Sequence, residues 1–265
     1  MMDRPLADRT ILVTRPAHQA EGLAQLIRAA GGNAMLFPVI EIVALDSEAP
    51  VLKVIDALEN YDLAIFVSPN AVKMGLELVK ARRQLPAQLT FVAVGPGTAK
   101  ALRLEGVEHV AVPADRHDSE GLLELADLQD AAGKRIVIFR GEGGREVLGD
   151  TLLARGASVE YAECYRRRKP RTDAGELLRA FAQKKIDAIS ITSSEGLRTL
   201  CELTREQGAA LRMTPLFVPH ERIGETARGL EFAHVVQTES GDEGLVRGLT
   251  EWFTRGSVCL QPERH

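Results

Sequence analysis

The chain has 265 residues, 45% of them hydrophobic and 26% charged, which is ordinary for a globular protein and suits one large domain or two modest ones. Its formal net charge of −4 excludes a general attraction to nucleic acid, so an anionic ligand would have to be met by a local site. No apolar run approaches the roughly 20 residues of a membrane span. The N-terminus lacks the apolar core of a signal peptide, so we expect a cytoplasmic protein without a membrane partner.

Strands and helices are predicted to alternate along the first half of the chain. Short apolar runs rich in β-formers predict strands at 10–14, 63–68, 89–95 and 109–113, and an extended segment at 33–45. Apolar residues at helical spacing predict helices at 18–32, around 49–59, from Pro69, at 96–106 and at 119–128.

The series restarts near residue 134. Strands or extended segments are predicted at 134–141, 158–165, 186–194, 214–219 and 233–238. Helices are predicted at 145–157, 174–185, 224–230 and 242–253, and residues 255–265 read as a tail. Alternation of helices with nearly continuous apolar strands predicts an α/β fold with parallel sheets covered on both faces.

A fixed numerical offset links the two halves. Asp62 and Asp187 differ by 125, as do Ile11 and Ile136, and Arg15 and Arg140. Farther on, Thr98-Ala99 matches Thr226-Ala227 at 128, which we interpret as a three-residue insertion, and Glu120-Gly121-Leu122 matches Glu243-Gly244-Leu245 at 123. We interpret this as a duplication of one α/β unit. The residues leave open whether the copies form consecutive domains or exchange their opening segments.

Candidate binding residues follow the strands, because parallel α/β sheets bind ligands at the carboxyl ends of their strands. Ser68, Thr98, Ser193 and Thr226 each stand where a helix is predicted to begin. Each alone is better interpreted as a helix N-cap, but helix starts gathered at one edge form an anion-binding surface. Further candidates at strand ends are Arg15, Asn70 and Gly95.

Two arginine-containing stretches are ambiguous. "RGEGGRE" (140–146), with Arg140 and Gly141, could cradle an anion or be a flexible turn. "YRRRKPR" (165–171) could bind an anion, although such a run is more often a solvated linker. The sequence contains no metal-ligand spacing, nucleotide motif or catalytic triad, and its three cysteines form no CxxC pair. An enzyme of this kind would work by binding, orientation and one general acid, without metal.

Several motifs in this order resemble the uroporphyrinogen-III synthase family. They are "VTRP" at 13–16, "FVSPNAV" at 66–72, "VGPGTAKAL" at 94–102, "FRGEGGREVLGDTLLARGASVEYAECYR" at 139–166, "ITSSEGLRTL" at 191–200 and "IGETARGL" at 223–230. The resemblance implies two similar parallel-sheet α/β domains joined by a two-stranded linker, with the ligand in a cleft between them. One domain would hold 1–37 and 171–265 and the other 43–164, with linkers at 38–42 and 165–170.

The family reaction closes linear hydroxymethylbilane, inverts its last ring and releases water, without a cofactor. By resemblance, Tyr165 is the general acid, although an aromatic packed in a linker is a serious alternative. The same resemblance and the strand-end positions assign the substrate, a linear tetrapyrrole with eight carboxylates, to Arg15, Ser68, Asn70, Gly95, Thr98, Arg140, Gly141, Ser193 and Thr226. The expected protein is a monomer.

The sequence departs from the family pattern at two places in the second copy. Ser194-Glu195 stands where a Pro and another small residue are common, and 219–225 is charged rather than glycine-based. Two other functions compete with the synthase interpretation. A non-enzymatic hinged clamp would bind an anion without turnover, and a nucleotide-sugar transferase would need a carboxylate site for metal or diphosphate, for which we find no compelling candidate.

Overall fold

The computed structural model describes residues 4–170 and 173–258, with side chains as far as Thr254. The chain divides into two compact units. Unit 1 comprises residues 1–41 and 168–265, and unit 2 comprises residues 42–167.

Eleven strands form two sheets within the described residues. They are β1 (Thr10–Val13), β2 (Asn33–Leu36), β3 (Glu41–Val43), β4 (Leu63–Phe66), β5 (Thr90–Ala93), β6 (Val110–Ala111), β7 (Arg135–Gly141), β8 (Ser158–Arg168), β9 (Ala188–Ser190), β10 (Leu216–Val218) and β11 (Val235–Gln237). The five-stranded sheet has the order β11-β10-β9-β1-β2, and all its pairs are parallel. The six-stranded sheet has the order β3-β8-β7-β4-β5-β6, with parallel pairs from β8 to β6.

The helices lie between these strands in the chain. They are α1 (Ala17–Ala29), α2 (Ala49–Asp56), α3 (Pro69–Lys80), α4 (Pro96–Leu104), α5 (Ser119–Leu122), α6 (Ala126–Gln129), α7 (Val147–Ala154), α8 (Gly175–Ala182), α9 (Ser194–Leu203), α10 (Gly208–Met213), α11 (Glu221–Gly229) and α12 (Asp242–Val258). Two single 3-10 turns lie at Leu58–Asn60 and Arg205–Gln207. The α/β class and the parallel sheets predicted from the sequence are confirmed.

Each sheet is assembled from both halves of the chain. β1 and β2 lie beside β9, and β7 and β8 lie beside β4. The strand pairing repeats with the sequence offset. Ile11 pairs with Ala188 in one sheet, and Ile136 pairs with Leu63 in the other. The corresponding residues, Ile11 and Ile136 or Leu63 and Ala188, are each 125 positions apart. The opening segment of each half therefore pairs with the later strands of the other half.

The matched aspartates occupy matched positions in the two sheets. In unit 1 the Asp187 carboxylate accepts the Thr10 backbone N–H at 2.8 Å. In unit 2 the Asp62 carboxylate accepts the Arg135 backbone N–H at 2.7 Å. Each aspartate fixes the start of the central strand pair, so its recurrence in the sequence has a structural cause.

The predicted position of Thr226 at a helix start is wrong. α11 begins at Glu221, after extended backbone at His220, and Thr226 is the sixth helical residue. The start of α4 at Pro96 corresponds to Glu221 at the same offset of 125, since 221 − 96 = 125. The three-residue insertion inferred from the Thr-Ala match is therefore absent here, and Thr226 is no counterpart of Thr98.

Other boundaries also differ from the sequence predictions. The extended segment predicted at 33–45 is two strands separated at Phe37–Ile40, where Pro38 interrupts the run. The helix predicted at 119–128 is two short helices, and α10 was not predicted. α12 continues through residues 255–258 of the predicted tail, whose remaining residues lie outside the described part of the chain.

Apolar side chains cover both faces of the six-stranded sheet. One face packs the stacked rings of Phe66 and Phe139, with centroids 4.4 Å apart, against α3 and α4. The other face packs Ile65 and Ile138 against α7 and the segment around Leu122. Buried, continuous strands are the reason that the sequence shows no apolar–polar alternation there.

Candidate active site

Three strands of unit 2 end at one edge, with candidate residues at or just beyond their ends. β4 pairs with β5 and β7, with Phe66 opposite both Ala93 and Phe139. Ser68, Gly95 and Gly141 each lie two residues past that level. Because the strands are parallel, their carboxyl ends place these residues along one edge, as parallel α/β sheets do at ligand sites.

Tyr165 lies at this edge and contacts Ser68. Its hydroxyl is 3.1 Å from Ser68 Oγ, and the residue is only 2% exposed. Ser68 is half-buried and caps α3 by accepting the Ala71 backbone N–H at 3.0 Å. Ser68 is thus both the N-cap that sequence reasoning considered and a direct partner of the candidate acid.

Gly141 makes the packing of the tyrosine ring possible. The β7–β8 register shifts between Arg140 and Gly141, which brings Gly141 opposite Tyr165. A Cβ at Gly141 would lie 2.6 Å from Cε2 and 2.7 Å from Cζ of Tyr165, closer than van der Waals contact allows. The glycine therefore serves close approach of the ring to the backbone.

Arg140 organises the glycine turn that follows β7. The residue is 6% exposed, and its Nε donates to the carbonyls of Gly141 at 3.3 Å and Gly143 at 3.0 Å. Its guanidinium lies 4.6 Å from the centroid of the Tyr161 ring. Glu163 accepts the Gly143 N–H at 3.0 Å. The "RGEGG" stretch is therefore a braced turn, with a buried positive charge at the same edge.

Two other candidates of unit 2 lie at helix starts. Asn70 is half-buried in the first turn of α3. Thr98 lies in the first turn of α4, whose N-cap is Gly95, and is 2% exposed. The Thr98 hydroxyl takes part in none of the hydrogen bonds among the described residues, so it does not cap the helix.

Unit 1 contains the three remaining candidates. Ser193 caps α9 by accepting the Gly196 N–H at 3.0 Å, which matches Ser68. Thr226 contacts the Ser194 hydroxyl at 3.0 Å and donates to the Arg222 carbonyl at 3.0 Å, so it links α9 to α11. Arg15 forms an ion pair with Asp242, the first residue of α12.

The family model described as uroporphyrinogen-III synthase HemD matches residues 21–247. The chain belongs to the uroporphyrinogen-III synthase family.

Relatives of the family are similar over nearly the whole chain. The uroporphyrinogen-III synthase of Salmonella typhimurium is 37% identical over 246 residues, covering 91% of this chain and 99% of the relative. That of Escherichia coli K12 is 35% identical over 244 residues, with the same two coverages.

Solved structures share the fold at lower identity. A mutant uroporphyrinogen III synthase of Thermus thermophilus aligns with a TM-score of 0.65 at 20% identity, covering 93% of this chain and 99% of that one. The Helicobacter pylori synthetase aligns with a TM-score of 0.53 at 13% identity, covering 96% of this chain and 100% of that one.

Three basic residues within the run at 165–171 are paired with carboxylates. Arg166 forms an ion pair with Asp46 in unit 2. In unit 1, Arg168 Nε lies 2.8 Å from Glu41, and Lys169 lies 3.1 Å from Glu202. These pairs are solvent-exposed and each contributes little to stability. They support the solvated interpretation of the run at these three positions.

The two described cysteines are not activated nucleophiles. Burial raises the pKa of the Cys164 thiol to about 12, and burial also raises the pKa of Cys201. A nucleophilic cysteine needs the opposite shift, toward the thiolate. Within residues 4–170 and 173–258, no cluster of His, Cys, Asp and Glu could hold a metal ion, and no helix is long and apolar enough to span a membrane.

Sequence reasoning missed one buried polar residue of unit 1. Ser190, at the end of β9, is fully buried and its Oγ has no hydrogen-bond partner among the described residues. Thr14 donates its hydroxyl to the Ser190 carbonyl at 2.6 Å. A serine at the end of an apolar strand was the available signal for Ser190.

Proposed function

We propose that this chain cyclises hydroxymethylbilane with inversion of the last ring and loss of water, giving uroporphyrinogen III. The observation that carries the proposal is the contact between the hydroxyls of Tyr165 and Ser68 at 3.1 Å, at the ligand-binding edge of a parallel sheet. A hydroxyl group leaves poorly as hydroxide, so protonation by a positioned acid accelerates its loss. Tyrosine is one of the side chains that act as general acids when positioned at a reacting group.

The reaction suits a site without a cofactor. Loss of water and ring closure involve no net oxidation or reduction, so a proton donor and an ordered chain are sufficient. Keeping a flexible tetrapyrrole folded so that one ring reacts at its substituted carbon is a matter of orientation.

The carboxylates of such a substrate have chemically suitable partners. The starts of α3 and α4 present free backbone N–H groups and the positive end of the helix dipole. Arg140, near the end of β7, adds a buried guanidinium whose Nε lies 3.8 Å from Glu163. We assign the substrate carboxylates to Ser68, Asn70, Gly95, Thr98, Arg140 and Gly141 in unit 2, and to Arg15, Ser193 and Thr226 in unit 1.

We also infer that the two units descend from one duplicated α/β unit. The common offset of 125 in β1/β7, β4/β9 and the starts of α4 and α11 supports this inference. A second sign is the pair Gly31 and Gly156, which end matched helices at φ values of 89° and 86°.

The function is tested by supplying hydroxymethylbilane and separating the oxidised porphyrin isomers by chromatography. We expect the type III isomer at a rate well above the spontaneous reaction, which closes the chain without inversion to the type I isomer. Formation of type I product alone, at the spontaneous rate, would contradict the proposal.

A further inference from the structure

The Tyr165 hydroxyl and the Ser68 hydroxyl differ in their access to solvent. Tyr165 is 2% exposed, with its ring held against the backbone of Gly141. Ser68 is half-buried and stands at the start of α3. A ligand at this edge of the sheet therefore meets the serine hydroxyl more readily than the tyrosine hydroxyl.

The direction of the hydrogen bond follows from counting donors and acceptors. A serine hydroxyl has one proton and two lone pairs. One lone pair of Ser68 Oγ accepts the Ala71 N–H at 3.0 Å. If Tyr165 donates to the other at 3.1 Å, both lone pairs are used and the Ser68 proton remains available for a ligand.

The opposite direction is less favourable. Were Ser68 to donate to Tyr165, the buried tyrosine proton would have no acceptor among the described residues, since Ser68 is the one hydrogen-bond partner of that hydroxyl there. A buried polar hydrogen without a partner costs free energy. Donation from Tyr165 to Ser68 satisfies both groups.

The geometry points to a two-hydroxyl proton relay in which Ser68 touches the leaving group and Tyr165 supplies the proton. This inference rests on the proposed function and names Ser68 as a further catalytic residue of the same reaction.

The relay conserves atoms and charge. Ser68 gives its proton to the oxygen of the substrate hydroxymethyl group, the C–O bond breaks with its electron pair on oxygen, and water leaves. Ser68 takes the proton of Tyr165, so the phenol becomes a phenolate and the substrate a pyrrole-stabilised cation. The cation first forms a C–C bond at the substituted carbon of the last ring, and the older C–C bond at that carbon then breaks and leaves a second pyrrole-stabilised cation. This cation bonds to the unsubstituted carbon of the inverted ring, and the proton lost from that carbon returns through Ser68 to Tyr165.

Unit 1 has the same cap without the proton source. Ser193 accepts the Gly196 N–H at 3.0 Å, as Ser68 accepts that of Ala71. The position that matches Tyr165 at the offset of 125 is Ile40, because 165 − 125 = 40. Ile40 is 8% exposed, and its Cδ1 would lie 3.6 Å from a Cβ at Gly196. The relay is thus confined to unit 2.

The test measures kcat and KM for Ser68→Ala, Tyr165→Phe and the double variant. A relay broken at either hydroxyl loses the same step, so we expect each variant, and the double variant too, to lower kcat by about 100-fold, the low end for general acid catalysis. Ser68→Thr keeps both the cap and the relay and should restore most of kcat. Ser68→Asn keeps an N-cap but has no acidic hydroxyl, and should not restore it.

Multiplied losses in the double variant would overturn the relay, as would a full kcat in Ser68→Ala or an equal rescue by Asn and Thr. A second measurement does not depend on turnover. The chain has three tyrosines, so the Cζ signal of Tyr165 can be assigned by NMR of tyrosine-labelled protein. Ser68→Ala should shift it, and the matched cap variant Ser193→Ala should not.

These readouts separate the two proposals. Wild-type protein that forms no type III product contradicts the proposed function, whereas an unmoved Tyr165 signal in Ser68→Ala contradicts the hydroxyl pair itself.

Discussion

The two units have matching scaffolds but different polar groups at matched positions. Ser68 and Ser193 cap matched helices with the same 3.0 Å hydrogen bond, yet Tyr165 faces one site and Ile40 the other. Six of the nine assigned binding residues, and the candidate acid, belong to unit 2. Strand register and helix caps are therefore features that the two units share, whereas the proposed chemistry depends on a few side chains present in one unit.

The largest effect is expected at Gly141, because the Tyr165 ring packs closely against its backbone and the matched position in unit 1 has no such tyrosine. Gly141→Ala would place its Cβ 2.6 Å from the Tyr165 ring, so the ring must leave the position in which its hydroxyl contacts Ser68. We expect a loss of about 1–3 kcal/mol in the free energy of unfolding from overpacking. We also expect a fall in kcat as large as that of Tyr165→Phe.

Gly229→Ala is the control, because a Cβ there meets no atom within 4 Å. It should melt like the wild-type protein and keep its kcat. A Gly141→Ala variant with normal stability and turnover would show that the ring tolerates displacement.

The matched glycines Gly31 and Gly156 test how similar the scaffolds are. Both have positive φ, 89° and 86°, where an L-residue costs about 1–2 kcal/mol. At Gly31 a Cβ would also lie 2.8 Å from Cβ of Arg4, whereas at Gly156 the nearest atoms are 3.5 Å away. Urea unfolding should therefore show a greater loss for Gly31→Ala than for Gly156→Ala. The reverse order would contradict the local geometry.

Alkaline pH should lower the free energy of unfolding through a buried tyrosine of unit 2 that has no counterpart in unit 1. Burial, and to a smaller extent the hydrogen bond to Glu160, raises the pKa of the Tyr61 hydroxyl in the folded protein. The folded state therefore holds this proton more tightly than the unfolded state, and the stability it contributes is full below pH about 10 and falls as pH rises further. Unit 1 has Ile186 and Met35 at the matched positions, since 186 − 61 and 160 − 35 are both 125.

Urea unfolding at several pH values between about 9 and 11 measures this effect on either side of the unperturbed tyrosine pKa. The free energy of unfolding should decrease with pH in the wild-type protein, and less steeply in Tyr61→Phe. Equal slopes in the two proteins would remove Tyr61 from the alkaline response. We expect this to be the smallest of the effects, because the titration lies mostly above the range measured.

Local sequence pattern predicted the strands well, because buried parallel strands are short apolar runs such as "TILV" and "LAIF". It failed at Thr226, because the recurring Thr-Ala pair predicted a helix start there, whereas the helix begins at Glu221. The pair recurs without structural equivalence, whereas the N-cap position follows the backbone. The constant offset of 125 residues identified equivalent positions better than the repetition of a short residue pair did.

The candidate site was less predictable than the fold. Ser68 and Tyr165 were each singled out, but their contact joins residues 97 apart and depends on a register shift in β7–β8 that no local pattern reveals. The hydrogen bonds from Arg140 to backbone carbonyls likewise depend on the conformation of the turn, in which Gly143 and Gly144 have positive φ. Pairwise geometry of this kind requires the folded chain.

If only unit 2 carries the reacting hydroxyls, kcat should respond to substitution at Tyr165 and not at the matched position in unit 1, Ile40. Turnover of hydroxymethylbilane should fall by about 100-fold in Tyr165→Phe, with type III still the main product, because orientation is retained while acid catalysis is lost. Ile40→Val, the matched change in unit 1, should leave kcat unchanged. Unchanged turnover in Tyr165→Phe, or an equal loss in both variants, would contradict the account.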